Sequence, residues 1–199
     1  MAQWPDRADH DAEDLLITLL VRGGTPPARL QEILDIDGEP LRQLAEKGLE
    51  RGLVQASDVL SLTAAGTEIA RRHARGTPKE ASALLALYEA EFLHLNARVK
   101  RICADWQLGG QVTRTSRVIG ALRQANNEAQ SMLRHMALSY RRAGAYGRRL
   151  DTALARVRCG EHDFVAHPAV DSFHSVWFEL HQELLHTLDR DRATERETG

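Results

Sequence analysis

The sequence predicts a mostly α protein in two parts: a small amino-terminal domain that includes one β-hairpin, followed by a carboxy-terminal bundle of long helices. Three observations carry this reading. Beyond residue 79, apolar residues recur at alternating steps of three and four, which is the spacing of a helix-bundle seam. Residues 35–66 run through a helix end, a turn, an amphipathic helix, a tight hairpin and a new helix start. Composition agrees, with 43% hydrophobic, 27% charged and 5% aromatic residues and few glycines or prolines to interrupt helices.

Taken in order, residues 1–11 are polar and acidic and read as a loose leader. A helix follows over 11–22, with Leu15, Leu16, Leu19 and Leu20 on one face and Gly23-Gly24 at its end. Thr25-Pro26-Pro27 offers a cap and an early proline for a helix to Leu34, burying Leu30 and Ile33. Asp37-Gly38 reads as the turn, and the next helix starts near Glu39 and buries Leu41, Leu44 and Ala45. Leu53-Val54 opens a strand, Val59, Leu60 and Leu62 form its return, and Thr63 caps another helix.

Gly76-Thr77-Pro78 is the domain boundary, with Thr77 as cap and Pro78 at the first helical position. One long helix then spans 79–107, its seam formed by Tyr88, Phe92, Leu95, Val99, Ile102 and Trp106, until Gly109-Gly110 breaks it. At 1.5 Å per residue it is roughly 40 Å long. A second spans 115–143 with Val118, Leu122, Ala125, Ala129, Met132, Met136 and Tyr140. Gly144 and Gly147 bracket a bend before a shorter helix carrying Tyr146, Leu150, Leu154 and Val157. A loop over 160–168 leads to a last helix to residue 188, with Phe173, Trp177, Leu180 and Leu184 on its seam. The expected division is therefore 1–76, 77–190 and a disordered tail over 191–199.

The run LRQLAEKGLERGLV followed by LSLTAAGTEIA resembles the winged helix-turn-helix of MarR- and PadR-type bacterial transcription regulators, over about 60 residues. The region 80–190, most clearly DSFHSVWFELHQELLHTL, resembles a helical region of uncharacterised winged-helix-containing proteins from GC-rich bacteria. The first resemblance implies that the helix from Glu39 enters the major groove of double-stranded DNA, with the hairpin beside it. On it the DNA-binding residues are Arg42, Gln43 and Lys47, with Arg29 on the preceding helix reaching phosphate. Arg42 and Gln43 have the donors to read guanine and adenine edges.

Charge is distributed unevenly. Residues 1–70 hold 6 Lys/Arg against 13 Asp/Glu, residues 71–160 hold 17 against 6, and residues 161–199 hold 3 against 9. Glu39, Glu46, Glu50, Asp35 and Asp37 crowd the expected reading helix, where each carboxylate repels phosphate. Arg134, Arg141, Arg142, Arg148 and Arg149 are either a phosphate-binding stripe or the partners of acidic residues elsewhere. Few aromatics interleave with them, against a single-strand binder.

The helical part offers Trp106, Tyr140, His174, Trp177 and His181 as an effector-binding set, aromatic walls with polar handles; the alternative is ordinary bundle core or a dimer seam. Glu91-x-x-His94 and Glu183-x-x-His186 have the spacing found in di-iron bundles, but exposed or satisfied histidines account for them as well. No nucleophile elbow, Walker loop, dinucleotide fingerprint or zincin motif occurs, so no enzyme, cofactor or metal site is expected. Two cysteines, Cys103 and Cys159, and the lack of a secretory or membrane-spanning stretch predict a cytoplasmic protein with free thiols and no membrane partner. The sequence thus points to a DNA-binding homodimeric regulator, open to a small-molecule effector. The alternative is a winged-helix module that contacts protein and not DNA.

Overall fold

The computed structural model describes residues 9–108 and 113–190, without side chains at 113–115. Most of the expected leader, the Gly109-Gly110 break and the tail over 191–199 lie outside the described residues. The described chain is mostly helical, with one two-stranded antiparallel hairpin. It divides into two compact units, one comprising the chain up to Gly76 together with that from Gln182 onward, the other Thr77–His181. Sequence places 182–190 with the helical region; in the structure that segment, the end of the last helix, packs with the first unit instead.

The first unit opens with α1, His10–Arg22, capped by the Asp9 carboxylate on the Ala12 amide. Helices α2, Pro27–Leu34, and α3, Gly38–Glu50, follow, then strands β1, Val54–Ala56, and β2, Leu60–Leu62, and helix α4, Ala64–Ala74. Leu15, Leu16, Leu19, Leu30, Leu41 and Leu60 belong to one core in which α1 packs against α4 and α2 against α3. Such a core is what the 3.6-residue spacing of α1 and α3 requires.

Thr25 is not the cap of α2. Its amide donates to the Leu60 carbonyl at 2.9 Å and its carbonyl accepts from the Leu60 amide at 2.9 Å, adding a one-residue bridge beside β2. Pro26 takes the capping position, with Pro27 inside the first turn. The turn before α3 centres on Asp35, at φ 56° in the left-handed region, so Gly38 is free to start the helix. Thr63 does cap α4: its hydroxyl accepts from the Gly66 amide at 3.0 Å and donates to the Gly52 carbonyl at 2.7 Å.

In the second unit Thr77 and Glu80 form a reciprocal capping box at the start of α5, Pro78–Leu87. The expected single long helix is interrupted: Tyr88–Phe92 is a π-turn, and α6 runs from Leu93 to Gln107. The seam survives it, with Tyr88, Phe92, Leu95, Val99 and Ile102 buried. Helix α7, Thr113–Met136, ends earlier than expected, and α8, Ala143–Arg158, contains both Gly144 and Gly147. The bend therefore precedes these glycines. Gly147 serves close packing: its carbonyl accepts from Gln130 Nε2 on α7 at 2.8 Å, and a Cβ there would stand 2.8 Å from Gln130 Oε1. The expected loop over 160–168 holds a short helix α9, Asp163–Ala166, and α10 starts at Phe173, running to Thr187.

Candidate functional site

The face of α3 that the sequence singles out is exposed, because Leu41, Leu44, Ala45 and Gly48 take the buried side. Arg42, one turn along, is drawn to carboxylates before and after it at helical spacing. Its Nε donates to Glu39 at 3.2 Å, its Nη2 also donates to Glu39, and its Nη1 donates to Glu46 at 3.1 Å. Gln43 Nε2 donates to the other oxygen of Glu39 at 2.9 Å. Both residues able to read base edges therefore converge on one carboxylate. The Arg42 hydrogen bond, and after it that of Gln43, holds the Glu39 carboxyl below its ordinary range, and Glu39 in turn raises Arg42.

Lys47 is exposed on the same helix. Arg29, on α2, is paired with Glu32. The β1–β2 turn is closed by the Ser57 amide on the Val59 carbonyl at 3.0 Å and exposes Asp58. No Lys or Arg occurs between Leu53 and Leu62. The four residues expected at DNA thus lie on α2 and α3, and two of the three on α3 are held by Glu39.

Of the five residues expected to bind an effector, Trp177 and His181 both pack on Phe92. Trp177 is 2% exposed, stacks on Phe92 with ring centroids 5.1 Å apart, and donates from its indole nitrogen to Asn96 Oδ1 at 3.0 Å. His181 is also buried, with Nε2 3.1 Å from the Tyr88 hydroxyl and its ring 5.1 Å from Phe92. Trp106 instead meets His162 edge-on at 5.4 Å. Tyr140 is buried, and His174 is half-buried, its imidazole pushed below the ordinary value by burial. A crevice of about 340 Å³ lies between α6 and α7; its described walls are Ile102, Asp105, Leu108, Arg117, Val118 and Ala121, none of them from that set.

Of the five arginines considered as a stripe, Arg149 is committed inside the second unit. Its Nε and Nη2 donate to the two oxygens of Asp171, both at 2.8 Å, and Nη2 also donates to Glu179 at 2.6 Å. Burial opposes its charge, but the Asp171 hydrogen bonds and the Glu179 and Asp171 charges outweigh it and hold the guanidinium more firmly protonated than usual. Arg134 and Arg148 are exposed. Sequence reasoning missed this trio, whose members are 22 and 30 residues apart with no periodic signal.

Cys103 is buried and its thiol is pushed up to about 12, so it is inert near neutral pH. Among the described residues no group of three or more His, Cys, Asp or Glu is placed to hold a metal ion, and no helix is long and apolar enough to cross a membrane. Compared with protein-family models, with curated proteins and with solved structures, the chain matches none.

Proposed function

We propose that the protein is a DNA-binding transcriptional regulator whose first unit is a winged helix and which acts as a homodimer through its helical unit. The observation that carries this reading is the order of elements: helix, bridge residue, two helices joined by a short turn, hairpin, helix, with Thr25 paired to Leu60 as a third strand position beside the hairpin. In that arrangement α3 is the reading helix, and Arg42, Gln43 and Lys47 lie on its exposed face. Binding of the full-length protein to a labelled random duplex tests it. Duplex binding that weakens steeply with salt supports the reading, since each phosphate contact releases counterions. No binding at 50 mM salt, roughly the lower end of the range in which such contacts dominate, refutes it.

A second reading, a winged helix that contacts another protein, is favoured by one specific observation. Glu39 and Glu46 neutralise Arg42, and the hairpin turn carries Asp58 and no cation. An α3 surface of that kind suits polar protein contact as well as it suits DNA, because the fold alone does not choose between them. The same salt titration separates the two.

A further inference from the structure

We propose that Glu39 is a self-shielding residue of α3: by taking the donors of both Arg42 and Gln43 it folds the base-reading groups back along their own helix and sets a low duplex affinity that its neutralisation raises. This inference rests on the DNA-binding reading above and goes beyond it in naming the residue that controls affinity. Three features of the geometry lead to it. One carboxylate receives three hydrogen bonds, two from Arg42 and one from Gln43, using both of its oxygens. Glu46 accepts from Nη1 of Arg42 on the other side, so the guanidinium is held along the helix axis between residues three before and four after it. All three side chains of the ion pairs are more than half exposed, at 57% for Glu39, 59% for Arg42 and 55% for Glu46.

That exposure matters because it makes the shield reversible. Exposed ion pairs on a helix are weak and screened by salt, so they bias the arginine without fixing it. A phosphate or a guanine edge must displace Glu39 and tolerate its charge nearby. Removing that charge leaves Arg42 with Glu46 as its one ion-pair partner on α3 and deletes one repulsive anion, while the core of the helix, formed by Leu41, Leu44 and Ala45, is untouched.

The experiment compares the full chain with Glu39→Gln, and with Glu68→Gln as the matched control. Glu68 lies on α4, is exposed and pairs with Arg71, so its substitution makes the same change in net charge away from α3. Binding to a labelled random 20-base-pair duplex is measured across a salt series by fluorescence anisotropy, after circular dichroism has shown each variant folded. Glu39→Gln is expected to bind about tenfold more tightly at low salt with a salt slope steeper by about one, and Glu68→Gln to change neither. Adding Arg42→Ala to Glu39→Gln should remove the gain. A wild-type protein that binds and a Glu39→Gln variant that binds no better overturn the shield and leave the regulator reading standing. An equal gain from Glu68→Gln also overturns the shield, since net charge alone would explain it. Absence of duplex binding by the wild type at about 50 mM salt, the low end of the salt series, removes the regulator reading and the shield with it.

Discussion

Gly66→Ala probes the joint between the hairpin and α4. Gly66 lies in the first turn of α4, where an added Cβ would stand 1.9 Å from the Leu53 carbonyl oxygen and 2.8 Å from its carbon. Backbone atoms cannot swing aside as a side chain can. The Leu53 carbonyl also accepts from the Thr63 amide at 3.0 Å, and the Thr63 hydroxyl ties Gly52 to Gly66, so relief of the clash disrupts this junction. A glycine replaced by alanine inside a helix ordinarily gains about 1 kcal/mol. Against that stand overpacking of about 1–3 kcal/mol and two hydrogen bonds of about 1 kcal/mol each. The net expectation is a loss of about 2–4 kcal/mol. Gly120→Ala is the reference, since a Cβ there meets nothing within 4 Å and the helix should simply gain stability. Urea unfolding followed by far-ultraviolet circular dichroism reads both. A Gly66→Ala variant as stable as Gly120→Ala would refute the argument.

Two further perturbations follow from buried or half-buried charge. Arg149→Met leaves Asp171 and Glu179, whose side chains are 18% and 9% exposed, without their shared cation, and should cost about 3–5 kcal/mol in urea unfolding. A loss under about 1 kcal/mol, the size of an exposed pair, would show that the trio is solvated. The second concerns His174, lowered by burial, and His186, lowered by burial and then by the Arg71 charge against an opposing pull from Glu183. Above the ordinary histidine value of 6.5 both imidazoles are neutral folded or unfolded, so their contribution is unaffected by pH. As pH falls through 6.5 the unfolded chain takes up protons first and stability declines, until the folded-state values are passed. The melting temperature of a His174→Gln, His186→Gln variant should fall less over that window than the wild type's, and equal slopes would contradict the assignment.

The seams of the helical unit were legible because burial repeats with the helix itself: Tyr88, Phe92, Leu95, Val99 and Ile102 are all inside. Caps were legible where a single residue type has a single local job, as at Thr63 and Thr77. Thr25 shows the limit, because a bridge to Leu60 depends on a partner 35 positions away and leaves no pattern in its own neighbourhood. The π-turn was hidden for another reason: Tyr88 and Phe92 keep the four-residue step of a regular helix while the hydrogen bonding widens between them. Gly147 misled in the opposite direction, since a glycine can mark close approach of two helices as well as a break. At the candidate interface the crowding of Glu39 and Glu46 about Arg42 was legible, whereas their pairing with it and the convergence of Gln43 on the same carboxylate needed the geometry.

The first unit is assembled from two stretches of chain, and the ion pair of Arg75 with Asp189, at 2.7 Å, spans 114 positions. On the ribosome, residues up to Gly76 emerge well before the stretch from Gln182 that packs with them. During that interval the growing polypeptide holds a unit with part of its surface uncovered, and closing it requires a loop whose entropy grows only slowly with length. A fragment ending at Gly76 reproduces that nascent intermediate and not the finished unit.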